Sequence, residues 1–219
     1  TRENPQNPPM FCMLLRQYLN GAKLTGIHQA GFERVVFLDF LTRDEMGFEC
    51  KRTLIVEIMG KYSNLIFADQ NMKILAAMKT VDFSTSSQRQ VLPGMRYELP
   101  PAQDKLDPNN TTSEEFFERF NDFPPEKSAD KFITATYLGI ATSVAREMVM
   151  RACGKSDAYA YEVKCDKLYE VFSAIFADMA KGEFSPTVII ENGMPIEYSF
   201  IDLTYFGSGF EHRSFEYQT

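Results

Sequence analysis

Residues 51–81 read KRTLIVEIMGKYSNLIFADQNMKILAAMKTV. Three apolar runs, 51–59, 64–68 and 72–81, are cut by Gly60-Lys61-Tyr62-Ser63 and by Asp69-Gln70-Asn71. Short β-branched runs with short polar turns predict antiparallel strands joined as a meander. Alternation within LIVEIM sets Leu54, Val56 and Ile58 on one face and Ile55, Glu57 and Met59 on the other. On the N-terminal side, 23–29 (KLTGIHQ) and 32–41 (FERVVFLDFL) extend the series. Before them, Pro8-Pro9 opens a short helix over 9–20, because a first-turn N–H has no partner to lose. Asn20-Gly21 closes it.

On the C-terminal side the pattern changes. Residues 82–112 are rich in Pro, Ser, Asn and Gln and read as an irregular segment followed by a linker. Thr112 or Ser113 caps a helix over 113–122 with acids in its first turn. Apolar periodicity then predicts helices over 128–137, 142–153 and 159–181, the last stopped by Gly182. Asn192-Gly193 between two apolar runs signals a hairpin within 186–206, with Pro195 near an edge or bulge. The predicted class is α+β: an antiparallel β-sheet domain over 1–110, then a helical domain over 111–219 with a terminal β-hairpin returning to a sheet.

The 219 residues are 44% hydrophobic and 24% charged, an ordinary globular composition. No stretch approaches the roughly 20 apolar residues of a membrane span. The opening TRENPQNPP has no apolar core of a signal peptide, and Thr1 in place of Met predicts a piece of a longer chain. Cys12, Cys50, Cys153 and Cys165 form no C-x-x-C pair, and His28 and His212 stand alone, which argues against a metal site and for reduced, cytoplasmic thiols. No Gly-rich phosphate loop, HExxH or GxSxG is present, so no cofactor is expected; catalysis through a Cys–His or Ser–His pair stays open, without a local signature for it.

Net charge is −7, but unevenly spread. Residues 1–50 carry 5 basic and 6 acidic groups, 51–105 carry 8 and 5, and 106–219 carry 10 and 19. The middle stretch, with Lys61, Lys79 and Arg89 among its cations, is the one candidate basic surface; its plainer reading is solvated strand faces.

Three motifs stand out. Glu33-Arg34, set at the start of a strand, pairs a carboxylate with a guanidinium able to fork onto phosphate or read a base edge; the plain alternative is a strand-edge ion pair. In Glu57-Ile58-Met59-Gly60-Lys61-Tyr62-Ser63-Asn64, Gly60 permits close backbone approach, and Lys61, Ser63 and Asn64 are donors for phosphate or ribose; the alternative is a simple hairpin turn. Tyr137-Leu138-Gly139-Ile140-Ala141, with Arg146 beyond it, is similar to a degenerate helix-hairpin-helix element, which offers backbone N–H groups to a phosphate; the alternative is a packing turn.

These residues carry a resemblance. Asn4-Pro5 with Pro8 to Arg16, Gln29 to Arg34, Val56 to Asn64, Val91-Leu92-Pro93-Gly94 and Leu99 to Lys105 resemble, in order and spacing, the NFACT-N domain of the RqcH/NEMF ribosome quality-control family. Members are often labelled fibronectin-binding protein A-like. The helical part resembles the helix-hairpin-helix region that follows that domain, so the likeness covers nearly the whole chain. It implies a sheet domain similar to the N-terminal domain of formamidopyrimidine-DNA glycosylases, without the N-terminal amine that those enzymes use. It also implies a cytoplasmic factor that binds tRNA, alanyl-tRNA in bacteria, and the large ribosomal subunit that still holds peptidyl-tRNA. There it supports C-terminal alanine tailing, while the ribosome performs the peptidyl transfer. By resemblance, tRNA binding falls to Glu33, Arg34, Glu57, Ile58, Met59, Gly60, Lys61, Ser63 and Asn64, with Lys79 and Arg89 added as phosphate ligands. Leu138, Gly139, Ile140 and Arg146 would form a weaker phosphate-binding hairpin. An Asp-Arg pair needed for tailing in the family matches Glu33-Arg34, with Glu in place of Asp. The rival expectation is a fibronectin-binding adhesion module at the cell surface, pairing an extended ligand with a β-edge such as 187–191.

Overall fold

The computed structural model describes residues 6–44 and 46–216. Asn4 and Pro5, part of the opening motif, lie outside the described residues. The chain divides into two compact units, Thr1–Gln103 and Asp104–Thr219.

The first unit is an antiparallel sheet in sequence order: β1 (Lys23–Gln29), β2 (Val35–Arg43), β3 (Glu49–Glu57), β4 (Asn64–Asp69) and β5 (Ile74–Ala77). The expected meander is there, because each short turn returns the chain beside the strand it left. The bounds differ in two places. The strand expected from Phe32 begins at Val35, which leaves Glu33 and Arg34 in the preceding turn. The run 72–81 pairs regularly only over Ile74–Ala77.

Register places Phe37, Ile55 and Ile66 side by side, and Val35, Glu57 and Asn64 in the neighbouring row. This face is the core side: Val35, Ile55, Ile66, Ala68 and Ile74 pack with Val91 and Tyr97, which the irregular segment lays across the sheet. Burying each isoleucine contributes about 1.5–3 kcal/mol. Val81 and Val91 pair as an isolated antiparallel bridge, N–H to carbonyl at 3.0 and 2.8 Å, and so hold that segment in place. Helix α1 (Met10–Leu19) lies against β2 and β5. Tyr18 meets Phe67 at 6.0 Å between ring centroids, and its carbonyl accepts from the Thr42 hydroxyl.

The second unit carries α2 (Ser113–Asp122), α3 (Ala129–Thr136), α4 (Thr142–Cys153) and α5 (Cys165–Lys181). Thr112 caps α2, accepting from Glu115 N–H at 3.2 Å, with Glu114 and Glu115 at the positive end of the helix dipole. Phe116, Phe120, Phe132, Tyr137 and Phe172 form a buried aromatic cluster. The helix expected from 159 begins only at Cys165; ahead of it a single 3-10 turn, Ala160–Glu162, is boxed by Glu162 accepting from Tyr159 N–H at 2.8 Å. Two helices joined by 137–141, with Gly139 at φ +70°, are present, but a helix-hairpin-helix domain is not shown by these elements.

The terminal hairpin joins β6 (Thr187–Glu191) to β7 (Met194–Ser199) through Asn192-Gly193, both at positive φ (51° and 77°) as a type I′ turn requires. A further strand, β8 (Glu211–Ser214), pairs with the other side of β6 and makes a separate three-stranded sheet. With β7 and β8 on its two sides, β6 offers no free edge, so 187–191 is not a site for strand addition. Glu147, fully buried on α4, holds the chain between these strands: it accepts from Arg151 Nε at 2.6 Å, from Thr204 Oγ1 at 2.9 Å and from Tyr205 N–H at 3.2 Å.

Candidate nucleic-acid interface

An antiparallel meander brings alternate turns to the same end of the sheet. The β1–β2 turn, the β3–β4 turn and the exit from β5 therefore meet, and most of the residues expected to bind RNA lie on them.

In the first turn, Ala30 N–H donates to the Val35 carbonyl at 3.0 Å and Glu33 N–H to the Ala30 carbonyl at 3.0 Å. Gln29 Nε2 donates to the Glu33 carbonyl at 2.7 Å. Glu33 is half-buried and Arg34 exposed. The Arg34 carbonyl accepts from Ile58 N–H at 2.9 Å, which fastens this turn to the next.

The β3–β4 turn is a 3-10 helix, Gly60–Tyr62. Ser63 Oγ accepts from Met59 N–H at 2.9 Å, and Ser63 N–H donates to the Gly60 carbonyl at 3.0 Å. Gly60 sits at φ +57°, the left-handed region where a side chain is strained, and a Cβ there would meet nothing within 4 Å. The backbone angle, with open space beside it, is what requires glycine. Ile58, Lys61 and Tyr62 are exposed, and the Lys61 ammonium stands 4.9 Å from the Tyr62 ring centroid.

Asn64 and Lys79 close the set. Asn64, 4% exposed, uses its amide on backbone: Oδ1 accepts from Lys79 N–H at 2.9 Å and Leu65 N–H at 3.0 Å, and Nδ2 donates to the Lys79 carbonyl at 2.8 Å. It therefore reaches no external phosphate. Lys79 is exposed, and its Nζ donates to the Lys61 carbonyl at 3.1 Å. Arg34 and Lys61 thus stand on turns joined by a backbone hydrogen bond, and Lys79 reaches the second turn with its own side chain.

Glu57 and Arg89 face inward instead. Glu57 is 4% exposed, and its Oε1 accepts from Arg89 NH2 at 2.6 Å and from Tyr97 Oη at 2.9 Å. The guanidinium lies 5.0 Å over the Tyr97 ring, and Phe37 meets that ring edge-on at 6.1 Å. Burial, and then the Glu57 charge beside it, pushes the Tyr97 hydroxyl well above the usual phenol range, so it remains a donor. Tyr97 has no signal in the sequence, because its partner lies 40 residues away.

In the second unit, Leu138 N–H is bonded to the Leu106 carbonyl at 2.9 Å and so is not free for phosphate. Arg146 pairs with the buried Asp130 at 3.4 Å while half of its side chain stays exposed. Gly139 is exposed and Ile140 half-buried in the same turn. Among the described residues no cluster of three or more His, Cys, Asp or Glu could hold a metal, and no helix is long and apolar enough to cross a membrane.

Comparisons with known proteins agree with this architecture. The Rqc2 homolog RqcH of Bacillus subtilis (strain 168) is 37% identical over 205 residues, 93% of this chain and 34% of that protein. The archaeal Rqc2 homolog aRqcH of Methanocaldococcus jannaschii is 33% identical over 208 residues, 92% of this chain and 29% of that protein. The chain thus spans about a third of these relatives. Among solved structures, the fibrinogen binding protein from Staphylococcus aureus superposes with a TM-score of 0.77 at 29% identity, covering 97% of this chain and 73% of that one. The N-terminal part of the fibronectin/fibrinogen-binding protein from Streptococcus suis gives 0.69 at 30% identity, covering 93% and 67%. The family model described as NFACT N-terminal and middle domains matches residues 1–218. With its five-stranded meander, its helical second unit and that match over nearly its full length, the chain belongs to the NFACT family.

Proposed function

We propose that this chain is the tRNA-binding part of a ribosome quality-control factor. It would act in the cytoplasm on the obstructed large subunit and support C-terminal alanine tailing of stalled chains. The observation that carries the reading is the convergence of Arg34, Lys61 and Lys79 on one end of the sheet. Cations on a rigid backbone suit a phosphate chain, and each contributes a counterion-release term to affinity. Glu33, beside Arg34, is the acceptor for a base amine, and Gly60 lets the RNA backbone come close. Glu57, Ile58, Met59, Ser63, Asn64 and Arg89 serve by shaping these turns. The 137–141 hairpin, acting as a helix-hairpin-helix element through Gly139 and Ile140 with Arg146, adds a second phosphate contact. The factor itself is not an enzyme in this reading: the ribosome performs the peptidyl transfer, and no cofactor is called for.

The test is a titration of labelled tRNA with the chain, wild type and R34A, with fibronectin as comparator. The reading expects tRNA binding that weakens with salt and with the substitution. Binding of fibronectin without tRNA would support the rival adhesion reading, which the name of the Streptococcus suis neighbour suggests.

A further inference from the structure

The RNA-facing rim is carried by turns, and turns need an internal brace to hold charged side chains in register. Glu57, Arg89 and Tyr97 have the geometry of one. Glu57 ends β3, directly before the turn that presents Lys61. Arg89 belongs to the loop that leaves the sheet after Lys79 and returns at Val91, its two ends joined by the Val81–Val91 bridge. Tyr97 lies in the core cluster with Val35 and Ile55. A single carboxylate oxygen, Glu57 Oε1, receives both the Arg89 and the Tyr97 hydrogen bonds, at 2.6 and 2.9 Å. Arg89 Nε, also buried, has no hydrogen-bond partner among the described residues. The guanidinium is therefore held by one ion-pair contact and by the face of the Tyr97 ring, not by a two-pronged fork.

Resting on the RNA reading, we infer that Tyr97, Glu57 and Arg89 are positioning residues. They pin the loop 82–90 and the 58–63 turn to the core, so that Lys61 and Lys79 stand at fixed spacing, and Arg89 touches no phosphate. The charge of Arg89 is neutralised by Glu57 inside the protein, so Arg89 displaces no counterion from RNA on binding. The roles separate in the salt dependence of binding: loss of a phosphate ligand flattens the slope, while loss of a brace lowers affinity at every salt concentration alike.

The experiment measures affinity of the 219-residue chain for labelled tRNA across a salt series, for wild type, K79A, R89M, Y97F, E57Q and E57A. K79A is expected to reduce the slope by about 0.7–0.9. Y97F keeps the ring under Arg89 and loses only the hydroxyl; it is expected to weaken binding about fivefold with the slope unchanged. R89M behaves likewise, with a larger loss. E57Q retains an acceptor oxygen for both donors and keeps most of the affinity that E57A loses. If R89M flattens the slope as K79A does, Arg89 is a phosphate ligand and the inference falls while the RNA reading stands. Unchanged affinity in Y97F also overturns it. Absence of tRNA binding by the folded wild type overturns the RNA reading, and the inference with it.

Discussion

The side-chain amide of Asn64 grips the backbone of Lys79 from both sides, its oxygen 2.9 Å from the Lys79 nitrogen and its nitrogen 2.8 Å from the Lys79 carbonyl oxygen. Strand β5 ends at Ala77, so this amide extends the pairing two residues beyond the sheet. N64A leaves both backbone groups unpaired in a nearly buried place. It is expected to cost about 1–3 kcal/mol of stability, read by urea denaturation. tRNA affinity should fall in parallel, because Lys79 loses its anchor.

Arg89 and Glu57 form an ion pair with 11% and 4% of their side chains exposed. R89A strands a carboxylate in the core and should destabilise the first unit by about 3–5 kcal/mol. Replacing both by apolar residues, E57L with R89M, should recover much of that loss. A double-mutant cycle in chemical denaturation checks this, since coupled neighbours depart from additivity.

His212 makes the second unit sensitive to pH. Its Nδ1 lies 3.1 Å from Asp202 Oδ1 and its Nε2 3.1 Å from the Gly207 carbonyl oxygen. Both partners are acceptors, so only the doubly protonated ring satisfies both. The bond to Asp202 first, helped by the Gly207 carbonyl, holds the imidazole above its usual 6.5. The folded value exceeds the unfolded one. The stabilisation is therefore complete below pH 6.5 and is lost as pH rises through the raised folded value. NMR titration of His212, with hydrogen exchange of 204–214 on either side of that value, should show protection falling as pH rises. H212A should remove the dependence.

Local patterns carried much of this fold. The meander followed from alternation and turn residues, α2 from Thr112 and its two acids, and the terminal hairpin from Asn192-Gly193. What escaped depends on distant partners. LIVEIM shows two faces but not which one is inside, and the buried face is the one carrying Glu57, because Arg89 and Tyr97 come from 32 and 40 residues further on. Glu33-Arg34 continue smoothly into the run VVFLDF, so nothing in composition separates the turn from the strand. The four residues of β8, EHRS, have no apolar alternation and pair only because β6 has a second side to fill. In the same way Lys61, Lys79 and Arg89 look alike as sequence cations, and only the fold sends two outward and one inward.

Whether the sheet end holds RNA is read from the slope of log affinity for tRNA against log salt, for wild type, R34A, K61A and K79A. If these three side chains face phosphate at the sheet end, each substitution weakens binding and lowers the slope by about 0.7–0.9, and the triple variant lowers it further than any single one. Slopes equal to wild type in all four variants, with the chain still folded, would contradict the account and move the RNA site elsewhere.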